Sequence, residues 1–313
     1  MIDTMRFRRL SHSFAFNSND VAIHRYVARL LERFAERDGS EGGPTYEVVD
    51  LGPKEQSRFH LMIDGSVVLA GATPAPILDE LFSRLNRAAV DASQDRVVVH
   101  AGAVVTPEGD GIVLPAPSGS GKTTLVAGLV RAGFGYLSEE AAVFDPVAAT
   151  LHPYPIHLSL KGESRAKFPD GAPDPADLEY SPTAWRVDPE AIRAGAVASS
   201  CDVRFVISHR YVPGADIRVE SLTPAETCIH LAQNLMLGRR AARSSLELLA
   251  SVCRRSQGFR VTHGDLDEAV QAIIDLTCSE GRSYLSAAYR ASPGTLSAPM
   301  ASSEAARPSS SNR

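Results

Sequence analysis

The sequence lacks the cysteine patterns on which disulfide-stapled and zinc-binding proteins depend. Only four cysteines occur in 313 residues. They lie far apart, with no C-x-x-C pair and no nearby histidine at the spacing of a metal site. A metal site or disulfides remain the alternative, but we expect reduced, buried thiols in a reducing compartment. The four positions are Cys201, Cys228, Cys253 and Cys278.

An excess of positive charge and long apolar runs are also missing. Lysine and arginine number 32 against 37 acidic residues, for a net charge of −5. This balance gives no electrostatic surface for nucleic acid or an anionic membrane. No apolar run approaches the length that spans a bilayer, and the arginines of MIDTMRFRRLSHSF are not followed by an apolar segment. We therefore expect a cytoplasmic protein that binds neither nucleic acid nor membrane, whose oligomeric state the sequence leaves open.

Residues 1–94 have the pattern of a small N-terminal α/β domain. Apolar residues recur at helical spacing from Asn19 to Arg37, and again from Leu78 to about Ser93. Between these helices, YEVVDLG and RFHLMIDGSVVLAGA predict strands, the second folded at Asp64–Gly65 as a hairpin. No residue pattern in this domain indicates chemistry, so its role is not predicted.

The segment LPAPSGSGKTTLVAGLVRAG, from Leu114 to Gly133, predicts a phosphate-binding loop between a strand and a helix. Successive amides of such a loop and the following helix N-terminus point at one small volume, where they bind phosphate oxygens. A lysine side chain reaches the β- and γ-phosphates, and the next hydroxyl coordinates Mg²⁺. The predicted ATP-binding residues are Ser118, Gly119, Ser120, Gly121, Lys122, Thr123 and Thr124, with Thr123 also on the metal.

Ala116 stands where the pattern G-x-x-x-x-G-K-[ST] begins with glycine. The first glycine mainly serves the turn out of the strand, and Pro117 fixes a neighbouring dihedral angle, so another turn can replace it. We expect the site to survive this change. The alternative is a glycine-rich turn that arises by chance.

Residues 95–290 continue with further strands and helices after the loop. GYLSEEAAVFD, ATLHPYPIHLSLK and DVRFVISH predict strands, and TPAE from Thr223 to Glu226 is a capping box that predicts a helix start. Helices are also expected over about Ala241–Arg255 and in GDLDEAVQAIIDL. Residues 291–313 are poor in large apolar side chains, which predicts a disordered tail.

Three elements together resemble the catalytic domain of HPr kinase/phosphorylase and its HPr-kinase-related relatives. They are His100-Ala101-Gly102 followed by a hairpin, the loop LPAPSGSGKTT, and GYLSEEAAVFD one helix later. The resemblance is strong over roughly residues 95–165. It implies an α/β fold in which a mixed sheet surrounds the P-loop, of the type shared with phosphoenolpyruvate carboxykinase, rather than the usual parallel P-loop sheet.

The same resemblance implies roles for individual residues. Glu139 takes the position of the catalytic base that orients the acceptor hydroxyl, and Glu140 helps to hold Mg²⁺. His100 lies near the γ-phosphate or polarises the acidic pair, and Lys161 neutralises the transferring phosphate or recognises an acidic substrate. The residues alone also allow plainer interpretations: a solvated strand end for the acidic pair, a paired hairpin histidine, and a basic surface loop at Lys161.

The predicted function is that of an ATP-dependent kinase with Mg²⁺, phosphorylating a serine or other hydroxyl of a peptide or small protein. A biosynthetic precursor peptide is one candidate acceptor. The alternative is a nucleotide-binding regulatory or scaffold module without transfer activity. A carboxykinase-like enzyme would need further metal ligands and a set of substrate-binding arginines that the sequence does not reveal.

Overall fold

The computed structural model describes residues 3–36, 42–56, 58–117, 119–236 and 242–278. The expected tail at 291–313 and the loop residue Ser118 lie outside the described residues. The chain is an α/β protein whose sheets mix parallel and antiparallel pairs, as the sequence predicts. No helix in the described part of the chain is long and apolar enough to cross a membrane.

The N-terminal unit is a five-stranded sheet with strands in chain order and two helices packed on it. Only the second and third strands run parallel. Asp20 caps the first helix by accepting from the amides of Ala22 and Ile23. The elements are β1 Met5–Arg9, β2 His12–Ser18, α1 Val21–Leu31, β3 Thr45–Asp50, β4 Phe59–Ile63, β5 Ser66–Gly71 and α2 Pro74–Ala92.

Two features of this unit differ in how well the sequence predicted them. The β4–β5 hairpin turns at Asp64 and Gly65, which both have positive φ angles as a tight hairpin turn requires. The β1–β2 hairpin was not predicted, although its residues pair along their whole length. Its alternation is weak because Phe14, Ala15 and Phe16 are all buried, on both faces of the strand.

The second unit contains a larger mixed sheet, a two-stranded hairpin and five helices among the described residues. A short helix, α4, follows the hairpin. The remaining elements, in chain order, are β6 Val97–Val99, β7 Ala101–Val105, β8 Gly111–Pro115, α3 Lys122–Arg131, β9 Gly135–Ser138, β10 Ala142–Phe144, β11 Thr150–His152, β12 Leu158–Lys161, β13 Ala184–Val187, α4 Pro189–Ile192, β14 Cys201–Tyr211, β15 Arg218–Leu222, α5 Pro224–Gln233, β16 Leu235–Met236, α6 Ala242–Arg255, β17 Gln257–His263 and α7 Leu266–Thr277.

The long strand β14 is the centre of this sheet. It pairs in parallel with β8 on one side and with β17 on the other, and its first residues pair antiparallel with β11. Helices α3 and α7 and the β12–β13 hairpin cover one face, whereas α5 and α6 cover the other. The strand before the phosphate-binding loop is therefore buried on both faces, which explains its continuous apolar run.

The segments GYLSEEAAVFD and ATLHPYPIHLSLK each form two strands rather than one, which corrects the expectation. In the first segment, the Ser138 hydroxyl accepts from the amides of Glu140 and Ala141 and turns the chain between β9 and β10. In the second, prolines separate β11 from β12. The capping box at Thr223 and Glu226 is present as predicted. All four cysteines are free thiols, but only Cys253 is buried and the other three are partly exposed, which corrects the expectation of buried thiols.

Gly102 lets the P-loop helix approach the sheet closely. A Cβ atom at this position would lie 2.6 Å from Cγ2 of Val126 and 3.5 Å from Cγ of Lys122, both on α3. Val126 is fully buried and has no free space into which it can move. The glycine therefore sets the distance between β7 and α3.

We predict that Gly102→Ala destabilises the protein by about 1–3 kcal/mol, the usual cost of over-packing a core. Urea unfolding measures this change. The same substitution in a Val126→Ala background should cost clearly less, because the clashing methyl group is absent. An equal cost in both backgrounds would contradict the proposed contact.

Candidate functional site

The phosphate-binding loop leaves the sheet at the end of β8 and turns into α3. Ala116 directly follows β8 in the chain and is buried, whereas Pro117 is exposed at the start of the turn. Gly119 and Gly121 have φ angles of +81° and +88°, a region that favours glycine. Ala116 is not among the residues with positive φ. A glycine is therefore not needed there, which accounts for the departure from the usual pattern.

The first turn of α3 carries amides without a side-chain cap. Gly121 occupies the N-cap position in a left-handed conformation, and among the described residues no side-chain cap accepts from the first turn of the helix. By contrast, α1, α5 and α7 each have an Asp or Thr cap. Such uncapped amides and the positive end of the helix dipole favour an anion. A Cβ at Gly119 would meet no atom within 4 Å, so the space in front of the loop is open.

Lys122 is buried at the start of α3 and contacts His100. Its Nζ atom lies 2.7 Å from Nε2 of His100, and Nδ1 of the same ring lies 3.0 Å from the carbonyl oxygen of Glu140. This arrangement fixes the histidine tautomer, since Nδ1–H donates to the carbonyl and Nε2 accepts from the ammonium. Burial lowers the pKa of Lys122, and the carboxylates of Glu140 and Glu139 partly oppose this shift.

His100 reaches Lys122 because the chain changes partner strands at this residue. The strand before it, β6, pairs with β10 and β16, whereas β7 after it pairs with β8 and β9. The amide of His100 donates to the carbonyl of Asn234 at 2.7 Å, which holds the break. Backbone pairing thus places the ring beside Lys122. The role of His100 near the phosphate stays a prediction.

Glu139 is buried between the P-loop helix and the β12 strand. One carboxylate oxygen accepts from the Thr123 hydroxyl, and the other accepts from the amide of Ser159 at 3.3 Å. Burial raises the pKa of Glu139, the Thr123 bond opposes this shift, and the neighbouring carboxylate of Glu140 raises it further. Glu140 is partly exposed, and its Oε1 lies 3.4 Å from Nδ1 of His100. The acidic pair is therefore divided between two environments.

Thr123 and Glu139 together fit the protein's share of a magnesium site. Mg²⁺ in nucleotide enzymes keeps several waters and takes one or two protein oxygens besides the phosphates. A hydroxyl and a carboxylate in direct contact, at the N-terminus of the P-loop helix, supply such oxygens. No group of three or more His, Cys, Asp or Glu residues that could bind a metal without a nucleotide occurs in the described ranges.

A cavity of about 700 Å³ joins these groups to the N-terminal unit. Its size is in the range of small-ligand sites. The sequence-predicted residues that line it are His100, Gly119, Gly121, Lys122, Thr123, Thr124, Glu139, Glu140 and Lys161, the last of these exposed at the end of β12. Ser120 lies in the loop but is absent from the lining, with its hydroxyl 3.5 Å from Nε2 of His209.

The sequence did not predict the contribution of the N-terminal unit to the cavity. Arg9 of β1 and Asp79, Phe82 and Asn86 of α2 lie in its wall, where Asp79 and Phe82 contact Arg186 of β13. No local motif marks these residues, since their proximity arises only from the packing of α2 on the second unit. The two units therefore form the cavity together.

The raised pKa of Glu139 predicts a pH-dependent effect of Glu139→Gln on stability. The folded state binds this proton more tightly than the unfolded chain, so ionisation costs stability as the pH rises through the folded pKa. The substitution removes the charge, while its amide oxygen can still accept from the Ser159 amide and its NH2 group can donate to the Thr123 hydroxyl, which can also act as an acceptor. We expect a rise in Tm at about pH 8 that disappears at about pH 4.

Glu190→Gln provides a control of opposite sign. Amides of Val197 and Gly195 donate to its carboxylate at 2.9 Å and 2.6 Å and lower its pKa. Its substitution should therefore lower Tm at about pH 8 and lower it less at about pH 4, because part of the stabilisation is lost as the pH approaches the depressed folded pKa. Thermal unfolding at both pH values measures the two variants. A loss of Tm for Glu139→Gln that is equal at both pH values would contradict the prediction.

Comparisons with known proteins give no family assignment. No protein-family model matches the chain, and no curated protein matches it by sequence. Among solved structures, one similar chain is the HPr(Ser) kinase/phosphatase of Coxiella burnetii. The sequence identity is 10%, the TM-score is 0.31, and the alignment covers 60% of this chain and 98% of that one. This likeness is too distant to support a function, so the function is inferred from the geometry of the site alone.

Proposed function

We propose that the protein is an ATP-dependent kinase of the HPr-kinase-like P-loop type, which transfers phosphate to a hydroxyl of a peptide or small protein. The observation that carries this proposal is the grouping of three features in one cavity. These are the uncapped N-terminus of α3, the buried ammonium of Lys122, and the carboxylates of Glu139 and Glu140. A triphosphate and an acceptor hydroxyl need all three.

In the proposed reaction, the loop amides and Lys122 hold the β- and γ-phosphates. The ammonium, kept in place by His100, stabilises charge on the equatorial oxygens as the γ-phosphoryl group moves. A carboxylate accepts the proton of the acceptor hydroxyl as its oxygen forms the new P–O bond, while the bond from the γ-phosphorus to the β,γ-bridging oxygen breaks and ADP leaves. When bound, Mg²⁺ would neutralise charge on the phosphates, and the Thr123 hydroxyl would help to hold it. Lys161 at the exposed end of β12 is available to the acceptor.

Two assignments of the acidic pair are open to experiment. The sequence-based one makes Glu139 the base and Glu140 the metal-side carboxylate. The bond from Thr123 to Glu139 supports the exchange of these roles, because it places the buried carboxylate beside the predicted metal-binding hydroxyl. Glu140 then faces the acceptor together with His100. In either assignment, one carboxylate is next to the phosphate and one is accessible to the substrate.

A nucleotide-binding module without transfer activity is the second candidate. It needs the loop, Lys122 and Thr123 but neither carboxylate. The burial of Glu139 against the metal-side hydroxyl supports the kinase, because burying a carboxylate costs stability, and burial raises the pKa of Glu139 despite the nearby charge of Lys122.

Lys122→Ala tests nucleotide binding by isothermal titration with Mg-ATP. We expect affinity to fall by roughly ten- to a hundredfold, the effect of losing a charge-assisted hydrogen bond. Lys167→Ala is the matched control, since Lys167 is exposed and is not part of the cavity wall. Equal affinity for ATP in the Lys122→Ala variant and the wild type would remove the site from this loop.

Phosphate transfer from labelled γ-phosphate of ATP to a library of serine-containing peptides tests the reaction itself. Loss of a general base costs about a hundred- to ten-thousandfold in rate, so one of Glu139→Gln and Glu140→Gln should show this loss at any Mg²⁺ concentration. The metal-side variant should instead require more Mg²⁺ and recover as the metal is raised. Wild-type protein that binds ATP but transfers phosphate to no acceptor would support the module.

A further inference from the structure

Arg9 is a buried cation without a buried anion to neutralise it. Its side chain is 3% exposed, yet it forms no ion pair within the described ranges and it lines the cavity. One guanidinium nitrogen, Nη1, donates to Oδ1 of Asn86 at 2.7 Å, and the guanidinium lies over the ring of Phe34. The Nε atom is buried and has no hydrogen-bond partner among the described residues.

The neighbours of Arg9 are fixed in ways that leave its charge unbalanced. Oδ1 of Asn86 also accepts from the hydroxyl of Tyr154 at 3.1 Å, so this oxygen has a second donor and carries no full charge. Burial lowers the pKa of Arg9, and the Tyr154 hydroxyl partly opposes this shift without supplying a full charge. Charged groups are seldom buried without a partner, because the loss of hydration costs several kcal/mol.

Arg186 lies in the same cavity wall and has a similar defect. Its Nη2 donates to Oδ1 of Asp79 at 2.6 Å, but Asp79 is half exposed and solvent screens this pair. The guanidinium carbon lies 4.4 Å from the centre of the Phe82 ring, and the buried Nε has no hydrogen-bond partner among the described residues. The wall thus has two buried, unpaired N–H donors on cations.

No other side chain of this wall neutralises the two guanidinium groups. Burial lowers the pKa of His157 to about 4, so this lining residue is neutral near pH 7. Lys161 adds positive charge at the rim. The remaining carboxylates of the cavity, Glu139 and Glu140, belong to the P-loop side.

The arginine wall is close to the reacting groups. Arg186 and Ser159 are paired residues of the β12–β13 hairpin, and the Ser159 amide donates to Glu139. Paired residues of antiparallel strands have Cα atoms about 4.5–5.5 Å apart. The backbone that carries Arg186 is therefore adjacent to the strand residue that contacts Glu139, and both side chains line the same cavity.

We propose that Arg9 and Arg186 form an oxyanion subsite for the acceptor, which binds a carboxylate or phosphate group that the acceptor carries near its reacting hydroxyl. The subsite deepens the proposed kinase function and rests on it for the identity of the occupant as an acceptor. Guanidinium groups match these oxyanions because their N–H donors form parallel bonds to two oxygens. The kinase would thus select acceptors by a negative charge as well as by a hydroxyl.

Titration calorimetry with malonate and with inorganic phosphate tests the subsite, each in the presence of Mg-AMP-PNP to fill the P-loop. Fluorescence of Trp185, the single tryptophan, provides a second signal beside Arg186. We expect one or both anions to bind the wild type, and the preferred anion distinguishes a carboxylate from a phosphate. Arg9→Met and Arg186→Gln should weaken that binding by at least about tenfold.

Arg84→Met is the matched control, since Arg84 lies on α2 outside the cavity wall and pairs with Glu80. It should bind the anion as the wild type does. Arg9→Met should also keep or raise Tm, because it removes a buried unpaired charge, whereas a purely structural arginine would lower Tm when removed. If Arg9→Met does not fold, Arg186→Gln decides the question.

Wild-type protein that binds neither malonate nor phosphate would overturn the subsite, as would variants of both arginines that bind like the wild type. The titrations are repeated without nucleotide, so that the subsite is measured independently of ATP. Anion binding that depends on the arginines, together with no binding of ATP, would overturn the kinase and leave the subsite in place.

Discussion

The burial of the Lys122 ammonium is the constraint on which the arrangement of the site depends. A lysine at the start of α3 stays charged in a nearly dry position only if an acceptor meets it, and Nε2 of His100 does so at 2.7 Å. That contact requires a neutral histidine with its other nitrogen on the Glu140 carbonyl. It also requires the exchange of partner strands at His100 and the close approach of β7 to α3 that Gly102 permits. The relative positions of the loop, the histidine and the acidic turn therefore all depend on the charge of Lys122.

Packing between the two units completes the cavity. Tyr154 is buried at this contact, where its ring lies against Phe34 and its hydroxyl donates to Asn86. Around it, Val90 of α2 packs with residues of β6, β10 and the segment before β12. This apolar contact thus positions the polar groups of the N-terminal unit that line the cavity. The unit for which the sequence indicates no chemistry supplies about a quarter of the residues that line the cavity.

Local patterns in the sequence predicted the parts of the site that depend on neighbours along the chain. The P-loop, its helix and the capping box at Thr223 are short-range features with a direct physical cause, and the structure contains them. Arg9 and Asn86 are 77 residues apart and meet only in the folded protein, so no periodicity reveals them. The break between β9 and β10 was missed because Glu139 and Glu140 interrupt an apolar run without a glycine or proline. The roles assigned to the acidic pair stay predictions.

The uncapped first turn of α3 has a consequence for the protein's thermodynamics. Helices α1, α5 and α7 complete their first turn with an Asp or Thr side chain, whereas no side-chain cap is present at α3 among the described residues, so an anion bound in the loop would take this role. An anion bound in the loop would then complete the hydrogen bonding of the first turn of α3, and its free energy of binding would add to the free energy of folding. The resistance of the protein to heat or denaturant would accordingly rise with the concentration of phosphate-bearing ligand, because ligand binding and folding would be coupled equilibria.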